Sequence, residues 1–138
     1  MTYHVDERGF QGVAVAQERR QRGRTAWLSG AIAEEQVASH YQAAGYALVA
    51  QRWRGKGGEI DLILRRGDCH VFVEVKKSAS HQTAALRLDR RQMDRICMAA
   101  NEFCGGLPDG LRSEMRLDVA LVDAVGRIDV IENAFWGR

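Results

Sequence analysis

The stretch from Gly58 to Lys76 constrains this chain more than any other. Residues 59–65 and 70–76 are two short apolar runs, separated by the turn residues Arg66, Gly67 and Asp68. Runs of this length, rich in Ile, Val, Leu and Phe and bounded by a glycine turn, predict an antiparallel strand pair. Each run carries charge where a buried strand would hold aliphatics: Asp61 in the first, Glu74 and Lys76 in the second. Charge in a buried strand is costly unless it is paired or binds a metal. A fold built around this pair must therefore place Asp61, Glu74 and Lys76 somewhere useful or somewhere wet.

The rest of the chain predicts the partners of that pair. Residues 1–25 mix Gly, Gln and Arg with little apolar periodicity and read as a basic, partly mobile extension, with one compact domain from residue 26 to 138. Ser29 or Gly30 opens a helix to about Ala44, with Ala33, Val37, Ala38 and Tyr41 on one face and Gly45 as its stop signal. Tyr46 to Arg54 reads as a first strand, Glu59 to Arg65 as a second and His70 to Lys76 as a third. Residues 77–85 read as a loop, and Leu86 to Phe103 as a long helix with Met93, Ile96, Cys97 and Ala100 on its apolar side. After the breaker run from Gly105 to Gly110, two strands follow, Met115 to Val122 and Arg127 to Ile131. The order α-β-β-β-α-β-β predicts an α/β fold with a mixed central sheet flanked by helices.

Composition narrows the setting. The 138 residues are 46% hydrophobic and 28% charged, an ordinary globular balance with room for one real core. The apolar stretches are far too short to span a membrane, and Met1 to Glu7 has no apolar signal segment. Three cysteines, Cys69, Cys97 and Cys104, are an odd number without a Cys-x-x-Cys pair, which points to reduced thiols in the cytoplasm and away from disulfides or zinc. The net charge is only +2, but Arg and Lys cluster locally, at Arg52, Arg54 and Lys56, at Lys76 and Lys77, and at Arg87, Arg91 and Arg95. The last three repeat every four residues, a spacing that suits either a phosphate-tracking helix stripe or a solvated face balanced by Asp89 and Asp94.

In a strand, alternate side chains share a face, so Glu74 and Lys76 lie with Phe72, and Asp61 lies with Ile63. If the two strands pair, the two carboxylates converge. That donor set is hard and oxygen-rich, suited to Mg²⁺ or Mn²⁺. With a lysine beside it, the arrangement is a minimal kit for phosphodiester hydrolysis. An exposed strand face alternating Glu and Lys gives the same spacing with no such chemistry.

Several motifs in order resemble one family. They are Gly30 to Glu34, then Ala38, Tyr41, Gly45 and Tyr46, then Gly58 to Ile63, then Val71 to Lys76, then Arg116 to Val119, then Asn133 to Phe135. Over residues 27–135 the chain resembles the YraN family of small bacterial proteins, grouped by motif with the PD-(D/E)xK restriction-endonuclease-like fold and similar to archaeal Holliday-junction resolvases. The resemblance implies a metal-dependent endonuclease acting on DNA, branched or otherwise structured. It implies Asp61 and Glu74 as metal ligands, Glu34 as a helix glutamate completing the metal site, and Lys76 as the catalytic lysine. Glu59 enters as a minor candidate, supporting the site or pairing with an arginine. Lys77, Arg87 and Arg91 become candidate substrate contacts, and a homodimer follows by analogy with resolvases. The chain departs from the family pattern after the third strand, where Lys77 and Ser78 follow Lys76 and Arg90 and Arg91 stand near the start of the second helix. A module of the same fold that binds nucleic acid without cutting it is the alternative.

Overall fold

The computed structural model describes residues 30–77 and 90–134. The expected basic extension, most of the expected loop before the second helix, and that helix's first residues lie outside them. The chain divides into two compact units, Met1–Ile32 and Ala33–Arg138, and the second carries the sheet.

The predicted order holds. Helix α1 covers residues 30–43. Strands β1 (Ala47–Arg54), β2 (Glu59–Arg66) and β3 (Cys69–Lys77) follow, then helix α2 (Arg90–Gly105), a short 3₁₀ turn (Gly110–Arg112), and strands β4 (Glu114–Val122) and β5 (Ile128–Ile131). The five strands form one sheet in the order β1-β2-β3-β4-β5. All neighbours run antiparallel except β3 and β4, which are parallel. A parallel pair needs a long crossover, and the segment containing α2 supplies it.

Local chemistry explains the joints. Gly45 ends α1 at φ +96°. Its N–H donates to the Gln42 carbonyl, and the Tyr46 N–H donates back to the Tyr41 carbonyl. That pair of bonds is a Schellman cap, which needs a left-handed residue that glycine adopts freely. The cap also brings the Tyr41 and Tyr46 rings edge to face, 5.2 Å apart. Gly67, at φ +60°, opens the two-residue hairpin loop between Arg66 and Cys69, where a primed turn requires positive φ.

The sheet is covered on both faces, so its central strands are buried along their middles. On one face Ile60, Ile63, Phe72, Leu117, Val119 and Leu121 pack with Met93, Ile96, Ala99, Ala100 and Cys104 of α2. On the other, Leu62, Leu64, Val71, Val73, Ala120 and Val122 pack with Ala33, Val37, Ala38 and Tyr41 of α1. Each fully buried aliphatic or Phe side chain contributes about 1.5–3 kcal/mol relative to exposure. Trp53 packs edge-on against Phe103 and joins the α2 core.

Candidate functional site

The β2–β3 ladder runs from the pair Arg66 and Cys69 to the pair Leu62 and Val73, then stops. Continued by one residue, the register would set Asp61 against Glu74. Both strands carry on without each other: β2 stays with β1 as far as Glu59 opposite Arg54, and β3 stays with β4 as far as Lys77 opposite Val122. The strands therefore fork at Asp61. The Val75 N–H, which has lost its place in the ladder, donates to the Asp61 carboxylate at 2.8 Å. The fork is held by a side chain in place of a backbone rung.

A cleft of about 240 Å³ opens at the fork. Gly58, Glu59, Asp61 and Glu74 line it from the strands, and Gln92, Arg95 and Ile96 line it from α2. Burial pushes the Glu74 carboxyl up to about 9, helped by its hydrogen bond to Asp61 and by the Asp61 and Glu34 charges, while Lys76 pulls the other way. Two carboxylates in one half-buried site cannot both ionise freely without a cation between or beside them. Among the described residues no group of three or more His, Cys, Asp or Glu side chains closes a metal cage. Mg²⁺ does not need one, since it commonly takes one or two carboxylates and completes its octahedron with water and substrate phosphate oxygens. The donor set fits such an ion: hard oxygens, close together, one of them holding a proton that a cation can replace.

Of the residues expected at the site, Asp61 and Glu74 share the cleft. Lys76 lies on the Glu74 face of β3, near enough for its charge to act on that carboxyl. Glu34 reaches the site electrostatically but is not among the cleft-lining residues. Its carboxylate accepts a 2.9 Å bond from Arg52 Nε, and its side chain is only 17% exposed. Glu59 lines the cleft and pairs with Arg54 at 3.0 Å, the arginine pairing expected of it. Lys77 ends β3, exposed; Arg91 is exposed on α2 and does not line the cleft; Arg87 lies outside the described residues.

Three residues escaped the sequence reading. Arg52 was one of a surface cluster; it sits at φ +50° within β1, between the rungs Gln51–Leu62 and Trp53–Ile60, across from Asp61. A positive φ at a non-glycine residue costs on the order of 1–3 kcal/mol and tends to accompany function. Arg95 was read as one member of a stripe, and Gln92 was not singled out. Gln92 stands three residues before Arg95 and four before buried Ile96, and residues three and four apart on a helix share a side.

The approach of α2 to the cleft depends on the glycine turn between β1 and β2. The Lys56 N–H donates to both Glu102 carboxylate oxygens, at 2.8 and 3.1 Å, and the Gly57 N–H donates to one of them. A Cβ at Gly57 would stand 3.2 Å from Met98 Cβ, tighter than most packed contacts. The turn comes this close to the helix because Gly57 carries no side chain.

A second charged cluster lies on the α1 face. Asp118 is fully buried in β4. It accepts from Tyr41 Oη at 2.7 Å, from Arg116 Nε and Nη2 at 2.9 Å each, and from the Asn133 N–H at 3.1 Å. Arg116 also donates to Tyr46 Oη at 3.0 Å. Burial, then the Asp118 charge and hydrogen bond, push the Tyr41 hydroxyl far above the usual phenol range. This network ties the α1 cap to β4 and to the segment after β5, and does not line the cleft.

Among the described residues no helix is long and apolar enough to cross a membrane. A family model described as uncharacterised protein family UPF0102 matches residues 33–132, which include every described residue of the cleft. A UPF0102 protein of Cereibacter sphaeroides is 56% identical over 113 residues, 82% of this chain and 97% of the relative. One of Roseobacter denitrificans is 51% identical over 112 residues, 81% of this chain and 87% of the relative. One of Dinoroseobacter shibae is 47% identical over 133 residues, 96% of this chain and 98% of the relative. With its sheet and cleft inside the matched span, the chain belongs to the UPF0102 family.

Proposed function

We propose that this chain is a metal-dependent endonuclease of the PD-(D/E)xK, restriction-endonuclease-like kind, hydrolysing phosphodiester bonds in DNA that is branched or otherwise structured, in the cytoplasm. The observation that carries the reading is the meeting of Asp61 and Glu74 in one cleft at a strand fork, with Lys76 on the same face. Asp61 and Glu74 would hold Mg²⁺ or Mn²⁺, with Glu34 as a third acid if Arg52 releases it. Once bound, the ion supplies an activated water and neutralises charge on the phosphate. The chain's own groups do the rest. Val75 N–H fixes the Asp61 carboxylate. Lys76 presents an ammonium beside Glu74, placed to hold a phosphate oxygen or orient the attacking water. Free thiols at Cys69, Cys97 and Cys104 suit a reducing compartment.

One observation favours a second reading, a non-catalytic nucleic-acid-binding module of the same fold: Glu34 is engaged by Arg52, which leaves two acids lining the cleft beside the peripheral Glu59. Assays with linear, nicked, flap and four-way DNA, with Mg²⁺ or Mn²⁺, separate the two. Cleavage is expected with the ion, falling at least about 10²-fold in folded Asp61→Ala and Lys76→Ala variants. Mn²⁺ should raise the melting temperature of the parent and of Lys76→Ala, but not of Asp61→Ala. Variants that cut as well as the parent would sink the site assignment. Mn²⁺ and DNA binding with no cutting by the parent would favour the module. Sedimentation of the same samples tests the dimer that the resolvase analogy implies.

A further inference from the structure

We infer that Arg95 is the anchor for a substrate phosphate in the cleft. The inference rests on the nucleic-acid reading above and names the residue that takes the anion. Arg95 lines the cleft from α2, on the wall facing the Asp61 and Glu74 strands. Its backbone is held closely: a Cβ at Gly58 would lie 3.4 Å from the Arg95 carbonyl oxygen and 3.6 Å from its Cβ. Two turns on, Glu102 grips the Lys56 and Gly57 N–H groups, and Ile96 is buried in the core, so neither sliding nor rotation of the helix is free. The base of the side chain is fixed while the residue as a whole remains exposed.

The neighbouring acids are already engaged. Glu59 pairs with Arg54, Asp61 accepts from the Val75 N–H, and Glu74 shares a hydrogen bond with Asp61. Arg95 forms no ion pair with them or with any other described residue. A guanidinium offers a planar fork of donors matched to two phosphate oxygens, a geometry lysine lacks. With a cation at the carboxylates, charges across the cleft alternate: carboxylate, cation, phosphate, guanidinium. Without the cation, the carboxylates repel the phosphate that Arg95 attracts. Anion binding at Arg95 is therefore coupled to the cation. Arg91, exposed and off the cleft, lacks this placement.

The test uses the full chain, a labelled four-way DNA junction and a linear duplex, with Ca²⁺ as the ion and gels to exclude cleavage. Arg95→Met keeps most of the aliphatic stem and removes the charge. Its affinity for DNA should fall about tenfold, and the slope of log affinity against log salt should drop by about one. Arg95→Lys should recover the slope but only part of the affinity. The Mn²⁺-induced rise in melting temperature should persist in Arg95→Met. If Arg95→Met binds DNA with the parent's affinity and salt slope, the anchor assignment is wrong, and the cleft reading still stands if Asp61→Ala loses Mn²⁺ binding. Loss of the Mn²⁺ response in Arg95→Met would also overturn it, by making Arg95 a partner of the acids. A parent that binds neither Mn²⁺ nor DNA would bring down the nucleic-acid reading itself, and this inference with it.

Discussion

Asp118 and Glu74 are both acids in the middle strands of one sheet, and their surroundings are opposite. Asp118 is wholly buried and meets four donor groups, two of them on one guanidinium. Glu74 is partly open to a cleft and has another acid as its hydrogen-bond partner. The first site spends its charge on structure: the network joins α1, β4 and the segment after β5. The second leaves charge unbalanced, at a point where the sheet gives up its own hydrogen bonding. A buried acid with a full set of donors contributes to the fold, whereas an acid forced against another acid is poised for a cation. The difference can be seen only in the partners, since an acid in an apolar strand reads the same in both sequences.

The contrast can be broken at its strongest point by removing each acid in turn. Asp118→Ala strands Arg116 and the Tyr41 hydroxyl and should cost about 3–5 kcal/mol in urea unfolding, with the Mn²⁺ response kept by whatever remains folded. Asp61→Asn keeps an acceptor for the Val75 N–H, so it should cost only about 1 kcal/mol while abolishing that response. If the two variants exchange these phenotypes, the roles are misassigned.

The next effect concerns pH. Glu74 titrates near 9 in the fold and near its ordinary 4.5 in the unfolded chain. The native state therefore holds a proton that the unfolded chain has given up. Its contribution to stability is whole below about 4.5 and is lost as pH rises toward about 9. Metal binding at the proposed site should run the other way: an ion that displaces one proton would bind with an affinity for Mn²⁺ rising about tenfold per pH unit up to that value, a slope that Glu74→Gln should remove. Calorimetry in buffers of different ionisation heat would count the proton. A smaller change is expected from Glu102→Ala, which frees the Lys56 and Gly57 N–H groups from α2. It should lower stability by about 1 kcal/mol and loosen the Arg95 wall more than the carboxylate wall, so amide exchange should quicken at Lys56 and Gly57 but not at Val75.

Much of this was legible in the residues. The strands were found because their apolar runs are long and bounded by Gly45, Gly58, Gly67 and Gly126, and boundaries moved by one or two residues at most. Asp61, Glu74 and Lys76 were legible because alternation in a strand fixes which side chains share a face. The fork was not, because it depends on two strands keeping different partners past Leu62 and Val73, and nothing local encodes that. Glu34 was expected to face the site directly; its bond to Arg52 depends on an unusual backbone angle that the sequence around Arg52 does not announce. The placement of Arg95 on the helix wall was equally hidden, since Arg91 and Arg95 look alike in a stripe and differ only in how α2 is turned against Ile96.

The fork has a mechanical meaning. Asp61 travels with the β1–β2 hairpin, while Glu74 and Lys76 travel with the β3–β4 half of the sheet. The site is therefore a seam at the open end of the β2–β3 ladder, bridged by the bond from the Val75 N–H to the Asp61 carboxylate. The gauge of the cleft is set by one side chain's reach.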